Sequence, residues 1–286
     1  MEIIGVDIGG TKISVARIRD KQIVQEYSCS TPSGETKEMV VNIVGDAIQQ
    51  VFSARVSGIG IGIPGLVDLE TNEVLDVVNI PSWDRVPLKR WLEDRFQTPV
   101  FVNNDANCFA VGEKYFGKGQ AFDNFVGITL GTGLGAGIIL NSHLYPGRFC
   151  GAGEFGTIYY RDKTVEAYAS GQFFKDRNLS GEALAKKAEE GDEHAKRLFF
   201  ELGEHIGRAI GNVLFALAPE AIILGGSVSE SYHLFESGMR SVLSGEFPYQ
   251  RLYQALNIEV SDLSNSAVLG ASSLVIDAFS KSENTN

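Results

Sequence analysis

The 286-residue chain lacks most of what would mark it as secreted, membrane-embedded or nucleic-acid-binding. Its three cysteines, Cys29, Cys108 and Cys150, are odd in number and far apart, so a disulfide framework is not expected. No apolar run approaches the length of a membrane span. The chain opens on a strand-like run and not on a leader, so a cytosolic protein without a membrane partner is expected. Positive charge is scarce: 25 Lys and Arg stand against 36 Asp and Glu, a net charge of −11, with no basic stripe. Neutralising phosphates along a nucleic acid needs clustered cations, so that class of partner is disfavoured. A GxxxxGK[S/T] loop is also missing, which removes the P-loop reading. What remains is ordinary globular composition, 44% hydrophobic and 21% charged, in a length that suits two lobes.

The most informative feature present is a pair of related glycine turns. The first lies in Ile3-Ile4-Gly5-Val6-Asp7-Ile8-Gly9-Gly10-Thr11-Lys12 and the second in Phe125-Val126-Gly127-Ile128-Thr129-Leu130-Gly131-Thr132-Gly133-Leu134-Gly135. In each, one apolar strand enters a Gly-Thr turn and another leaves it. Glycine lets backbone N–H groups approach an anion closely, and threonine adds a hydroxyl. Gly131-x-Gly133-x-Gly135 also resembles a dinucleotide fingerprint, but that motif requires a helix after the turn, and both turns here lead into β-rich segments. The plain alternative is two hairpins whose glycines serve turn geometry alone.

Along the chain, strand-like runs at 2–8, 12–18 and 22–28 precede a helical pattern at Glu38–Phe52. A buried-type strand at 58–63 ends at Pro64-Gly65, a helix is expected over Pro87–Phe96, and Val100–Asn103 forms the next strand. The order β-β-β-α-β-α-β is that of a ribonuclease-H-like lobe. The second half repeats the theme, with strands at 124–130, 136–140 and 143–145 and helices near 165–176, 181–190 and 192–217. A strand at 221–224, a helix near 229–244, a strand at 257–260 and a last helix near 267–279 follow. The expected fold is therefore α/β, with lobes at 1–117 and 118–269 and a C-terminal helix, 270–283, returning to the first lobe. Such lobes share a cleft that would hold the active site. The polar tail Ser280–Asn286 is expected to fray.

Several residues carry candidate chemistry. Asp7 closes the first strand at the glycine turn and is suited to hold Mg²⁺ through water; a turn-forming aspartate is the bland alternative. Lys12 is read equally as a phosphate contact or a solvated strand residue. In Val102-Asn103-Asn104-Asp105-Ala106-Asn107, a strand meets a helix, and an aspartate there could be an N-cap. Its place at the carboxyl edge of the sheet makes Asp105 instead a candidate base for a substrate hydroxyl. Asn104 beside it can donate to and accept from sugar hydroxyls. Glu154, in Gly151-Ala152-Gly153-Glu154, and Glu166, at a helix start, form a carboxylate pair suited to vicinal hydroxyls. Glu166 could also be a solvated glutamate in the first helical turn. Gly225 and Gly226 follow a buried strand, where a flat base or ribose could lie against the backbone.

Taken together and in this order, these motifs resemble the ROK family (repressors, open reading frames, kinases), a branch of the actin/hexokinase/heat-shock-chaperone superfamily. The matching segments are Asp7-Ile8-Gly9-Gly10-Thr11-Lys12, Gly62-Ile63-Pro64-Gly65, Asn104-Asp105-Ala106-Asn107, Gly131-Thr132-Gly133, Gly151-Ala152-Gly153-Glu154, Glu166-Ala167-Tyr168-Ala169-Ser170-Gly171 and Leu224-Gly225-Gly226. The resemblance implies a two-lobed, actin-like fold and an ATP-dependent hexose kinase with Asp105 as the base. It implies sugar contacts from Asn104, Glu154, Glu166 and the Gly65 and Thr157 positions. Phosphate turns at Gly9, Gly10, Thr11 and Lys12 and at Gly131, Thr132 and Gly133, and an adenosine site at Gly225 and Gly226, complete the set. ATP and Mg²⁺ are the implied co-substrate and metal, and a homodimer the implied assembly.

One departure is informative. Typical members carry a histidine where this chain has Thr157, followed by a CxCGxxGC cluster that binds structural zinc. Here only Ile158–Val165 separate Thr157 from Glu166, without cysteine or histidine, so no structural zinc is expected. A short strand or turn packed through Ile158, Tyr159 and Tyr160 is expected to position the two glutamates instead. A glucose-type substrate is the leading reading. N-acetylmannosamine, N-acetylglucosamine or fructose, polyphosphate as donor, and a non-catalytic sugar-sensing regulator are the alternatives. Regulators of this family carry an N-terminal helix-turn-helix, and this chain opens at its first strand.

Overall fold

The structure is a computed structural model that describes residues 1–77 and 79–283. The chain packs as two compact units. The first comprises Met1–Ala121, Gly137–Ala152 and the chain from Asp262 on, and the second comprises Phe122–Ala136 and Gly153–Ser261.

The first unit opens with β1 (Glu2–Ile8), β2 (Lys12–Arg19) and β3 (Gln22–Ser30), followed by α1 (Lys37–Val51), β4 (Val56–Ile63), β5 (Leu66–Asp68) and β6 (Glu73–Leu75). Then come α2 (Leu88–Phe96), β7 (Val100–Asn104) and α3 (Asp105–Tyr115). The sheet order is β3-β2-β1-β4-β7, with β1, β2 and β3 antiparallel and β4 and β7 running parallel to β1. Because side chains alternate along a strand, β1 has two apolar faces. Ile4, Val6 and Ile8 pack in one core with Val40, Val44 and Ile48 of α1, whose N-cap Thr36 accepts from Met39 N. Ile3 belongs to a second cluster on the other side. Pro87 precedes α2 with a non-helical ψ of 54°, so it is a flanking residue and not the expected first helical one.

The chain then forms β8 (Phe125–Leu130) and β9 (Leu134–Leu140), and β9 ends beside β10 (His143–Leu144). The second unit continues with β11 (Tyr159–Tyr160), β12 (Lys163–Thr164), α4 (Val165–Tyr168), α5 (Gln172–Lys175), α6 (Gly181–Glu189) and α7 (Glu193–Leu217). It closes with β13 (Ala221–Gly225), α8 (Tyr232–Gly245), α9 (Gln250–Ala255) and β14 (Asn257–Val260). Its sheet runs β9-β8-β13-β14, with β8, β13 and β14 parallel. Asp192 caps α7 by accepting from Ala195 N, and the apolar face of that helix lies along α8.

Last comes α10 (Ser266–Glu283), in the first unit, where Val268, Leu269 and Val275 cover Ile3, Ala16 and Ile18. The first part of the tail expected to fray is thus helical, and residues 284–286 lie outside the described residues. The single helix expected over 165–176 is two short helices. Gly171 N donates to Gly131 O at 2.8 Å instead of continuing the helical ladder, and this breaks the run. No helix among the described residues is long and apolar enough to cross a membrane.

Candidate functional site

In the first unit the turn between β1 and β2 is closed by Gly9 N donating to Lys12 O at 2.9 Å. A residue the sequence did not single out, Thr31, pins it from the end of β3. Thr31 N donates to Thr11 O at 3.0 Å and its hydroxyl to Gly9 O at 2.7 Å. Thr11 and Lys12 are exposed. Asp7, at the end of β1, pairs across the sheet with Ser14 and Gly62.

Asn104 ends β7 and is itself the N-cap of α3. Its Oδ1 accepts from Ala106 N at 2.9 Å and its Nδ2 donates to Gly65 O at 3.3 Å. That capping role, open for Asp105 from sequence, leaves Asp105 as the first helical residue, with its Oδ1 also accepting from Ala106 N at 2.8 Å. Asn104 keeps one amide hydrogen and one lone pair for a ligand. Beneath it the buried Asn103 Oδ1 accepts from Asn104 N and from Asn107 Nδ2, and Asn107 also donates to Cys150 O. This amide ladder fixes the strand-to-helix corner, and only the corner, not the ladder, was legible in the sequence.

Asp7 and Asp105 lie near enough to feel each other. Removal of water by surrounding protein, and then the charge of Asp105, raise the Asp7 carboxyl to about 6 against the opposing pull of Lys12. Asp105 is raised above the ordinary carboxylate range by the same desolvation, against hydrogen bonds from Ala106 and from its own backbone N–H. Under them the Cys108 thiol is buried and pushed far up by desolvation, then by the charges of Asp105 and Asp7. A carboxylate pair short of cationic partners is a hard-oxygen donor set. Mg²⁺ is held by one or two carboxylates plus phosphate oxygens and waters, not by an all-protein cage. Among the described residues no group of three or more His, Cys, Asp or Glu is arranged to hold a metal. A lone carboxylate such as Asp7, at the end of a strand beside a glycine turn, fits Mg²⁺ only together with phosphate oxygens and waters.

In the second unit the turn between β8 and β9 is closed by Gly131 N donating to Gly133 O at 3.0 Å. Glu166, in the first turn of α4, presses against it: Leu134 N donates to Glu166 Oε2 at 3.4 Å, and a Cβ at Gly133 would lie 2.5 Å from that oxygen. Glycine at 133 is thus a condition for the carboxylate's position. Glu154 is exposed at the entry to a 3₁₀ turn, Phe155–Thr157, whose Gly156 lies against the stem of Glu166. Thr157 is exposed, and its hydroxyl donates back to Glu154 O at 2.8 Å, which steadies the loop. The packing expected through Ile158 and Tyr159 is not found. Tyr159 is 93% exposed and Ile158 40%, because alternation along β11 turns only Tyr160 inward.

Gly131 and Thr132 border a cavity of about 620 Å³ that is also lined by Phe174, Lys175, Lys186, Ser227 and Glu230. A Cβ at Gly131 would meet nothing within 4 Å, so this glycine faces open space. Gly225 ends β13. Gly226 has φ +85° and its Cβ would lie 2.5 Å from Leu130 O, so it builds the bend that carries Ser227 and Val228 to the cavity wall. Lys175, Lys186 and Glu230 were not singled out from sequence, since nothing distinguishes them there from other surface charges.

The two sheets and their glycine turns define the class. The chain has the mixed α/β, duplicated ribonuclease-H-like fold of the two-lobed actin-like ATPases. Within that class the chain belongs to the ROK family, whose model matches residues 3–278. It is 31% identical to a xylose repressor of Caldicellulosiruptor bescii, over 96% of this chain and 78% of that protein. An N-acetyl-D-glucosamine kinase of Mannheimia succiniciproducens is 33% identical over 82% of this chain and 86% of that one. Among solved structures, a ROK family glucokinase from Streptomyces griseus in complex with glucose and AMPPNP superposes with TM-score 0.77 at 32% identity. That match covers 96% of this chain and 99% of the glucokinase.

Proposed function

We propose that this protein is an ATP-dependent sugar kinase, with a hexose or N-acetylhexosamine as acceptor. The observation that carries the reading is Asp105. It is a carboxylate at the carboxyl edge of a parallel strand, first residue of the helix that Asn104 caps and raised in basicity by desolvation. Similarity to a glucokinase and to an N-acetylglucosamine kinase supports the sugar class.

In the proposed reaction Asp105 accepts the proton of the attacking sugar hydroxyl as its oxygen forms a bond to the γ-phosphorus. The bond from that phosphorus to the bridging oxygen breaks, and ADP leaves with the electron pair. A carboxylate raised above its ordinary range is a better proton acceptor, and burial supplies that rise without a dedicated partner. Gly9, Gly10, Thr11 and Lys12 in one turn and Gly131, Thr132 and Gly133 in the other would donate to phosphate oxygens. Glu154 and Glu166 would accept from sugar hydroxyls, with Asn104 and the backbone at Gly65 completing the set. Thr157 would act by steadying Glu154. The adenosine half would occupy the cavity bordered by Thr132, Phe174 and Ser227, above the Gly225-Gly226 bend. Magnesium held at Asp7 would supply charge compensation to the phosphate oxygens when bound.

No structural zinc enters this proposal. A cytoplasmic homodimer that binds neither nucleic acid nor membrane is the accompanying reading, supported by the family resemblance and a net charge of −11. Light scattering tests the assembly. A second reading, sugar sensing without phosphoryl transfer, is favoured by the similarity to a xylose repressor. An ADP-release assay over hexoses, amino sugars and xylose separates the two. Sugar-dependent ADP release supports the kinase, and sugar binding without ADP release supports the sensor.

A further inference from the structure

Glu166 sits on α4, a single helical turn that cannot hold itself in place. One side of it is pinned to the second glycine turn, where Ser170 Oγ donates to Thr132 O at 2.9 Å and Gly171 N to Gly131 O. The other side rests on a cluster of rings gathered around His205 of α7. Tyr160, Tyr168 and Phe173 approach the imidazole with centroids 5.7, 5.1 and 6.0 Å away, and Tyr160 and Tyr168 meet edge to face at 5.4 Å. Tyr160 Oη and His205 Nδ1 share a hydrogen bond of 3.1 Å. Above the rings Arg161 lies over both tyrosines and Arg177 over Phe173, 3.8 Å from its centroid. Tyr168 donates from its hydroxyl to Asp162 and so closes the β11–β12 hairpin over the cluster.

His205 is only 2% exposed, and its Nε2 makes no hydrogen bond; the nearest acid, Glu201 Oε1, is 3.8 Å away. Burial, and then Arg161, Arg208 and Arg177, push the imidazole down to about 4, so it is neutral at working pH. Beside it, under Val165 at the foot of α4, is a cavity of about 260 Å³ with mostly apolar walls, including Phe215, Val242 and Phe247. A helical turn flanked by such a space has somewhere to sink if its support is removed.

We propose that His205 is a positioning residue that, through Tyr160 and Tyr168, holds α4 at the height at which the Glu166 carboxylate meets the sugar. The inference rests on the sugar-kinase reading and goes beyond it. A core histidine with a purely structural role would lower stability when removed but leave sugar recognition in the folded fraction untouched. Positioning shows instead in the sugar KM.

The test is steady-state kinetics and sugar binding by calorimetry on wild type, His205→Ala, His205→Gln and Tyr160→Phe, with melting temperatures recorded in parallel. His205→Ala should raise the sugar KM and Kd by about tenfold, the scale of a sub-ångström misplacement. The KM for ATP should change by less than about twofold, because Ser170 and Gly171 still secure the phosphate turn. His205→Gln, which retains a hydrogen-bonding group, should recover part of the loss. Tyr160→Phe keeps the ring and removes only the shared hydrogen bond, and should show about a threefold rise even if His205→Ala folds poorly. An unchanged sugar KM in Tyr160→Phe and the folded His205 variants, with wild type active, would overturn the positioning role alone. Wild type that neither binds nor phosphorylates any sugar would overturn the kinase reading and this inference with it.

Discussion

The two glycine turns have the same sequence logic and different neighbours. Beside Gly9–Thr11 stand two aspartates, Asp7 and Asp105, both raised by desolvation. Beside Gly131–Gly133 stands one glutamate, Glu166, which receives the Leu134 N–H and lies on a turn stapled to the Thr132 carbonyl by Ser170. The first unit thus concentrates carboxyl groups raised above their ordinary range by burial. The second concentrates groups fixed in position by hydrogen bonds at a turn whose Gly131 and Thr132 also border a 620 Å³ cavity. Duplication of a lobe supplies two glycine turns of one kind, but it need not supply two bases. In the proposed kinase, chemistry then falls to one unit and holding to the other.

The comparison breaks most sharply at Asp105. Asp105→Asn should retain the fold, since Asn also suits a helix start, and kcat should fall by roughly 10²–10⁴, the worth of a positioned base. Wild-type kcat should also decline on the acid side, with a midpoint above the ordinary carboxylate range, because Asp105 must be ionised to accept a proton. A pH–rate profile of both proteins reads the two effects together.

On the holding side the expected losses are smaller and fall in binding. Glu166→Gln removes a charged acceptor and should raise the sugar KM by about 10–100-fold, with kcat changed much less, since hydrogen bonds to charged groups contribute about 1.5–3 kcal/mol. Valine at Gly10 or Gly133 is a poor probe of the phosphate turns. Its Cβ would lie 2.4 Å from Asn79 Cβ in one case and 2.5 Å from Glu166 in the other, so the fold itself would shift. Gly131→Ala is cleaner, because its Cβ meets only open space. It should leave the melting temperature of the free protein unchanged while reducing the rise produced by Mg-ATP. A full Mg-ATP shift in that variant would move the phosphate site elsewhere.

The smallest effect concerns pH and stability. His205 is held down to about 4 in the folded chain and returns to about 6.5 on unfolding, so the unfolded state binds the extra proton between those values. This histidine costs nothing above that window. Stability falls as pH drops through it, by up to about 1.4 kcal/mol per pH unit. Denaturant midpoints between pH 4 and 7 should slope less in His205→Phe than in wild type.

The sheet of the first unit was legible because its signals are local. Runs such as Gly58–Ile63 are apolar throughout, and glycines punctuate them. Asp105 and the two turns were legible for the same reason. What stayed hidden depends on long-range pairing. The β5–β6 hairpin offers only three residues per strand. The break between α4 and α5 is caused by a carbonyl 40 residues away in sequence, at Gly131, capturing the Gly171 N–H. Thr31 pins a turn from the end of another strand, and His205 looks, in sequence, like one more residue of an amphipathic helix. The expected Tyr159 packing failed because period-2 alternation admits one of two adjacent tyrosines, and nothing local says which.

The division between chemistry and holding is tested most directly by measuring glucose, amino-sugar and AMPPNP affinities of Asp105→Asn by calorimetry, alongside single-turnover transfer from ATP. The account predicts affinities within about threefold of wild type and transfer reduced by at least about 10². Affinities that collapse together with turnover, or near wild-type transfer in the folded variant, would contradict it.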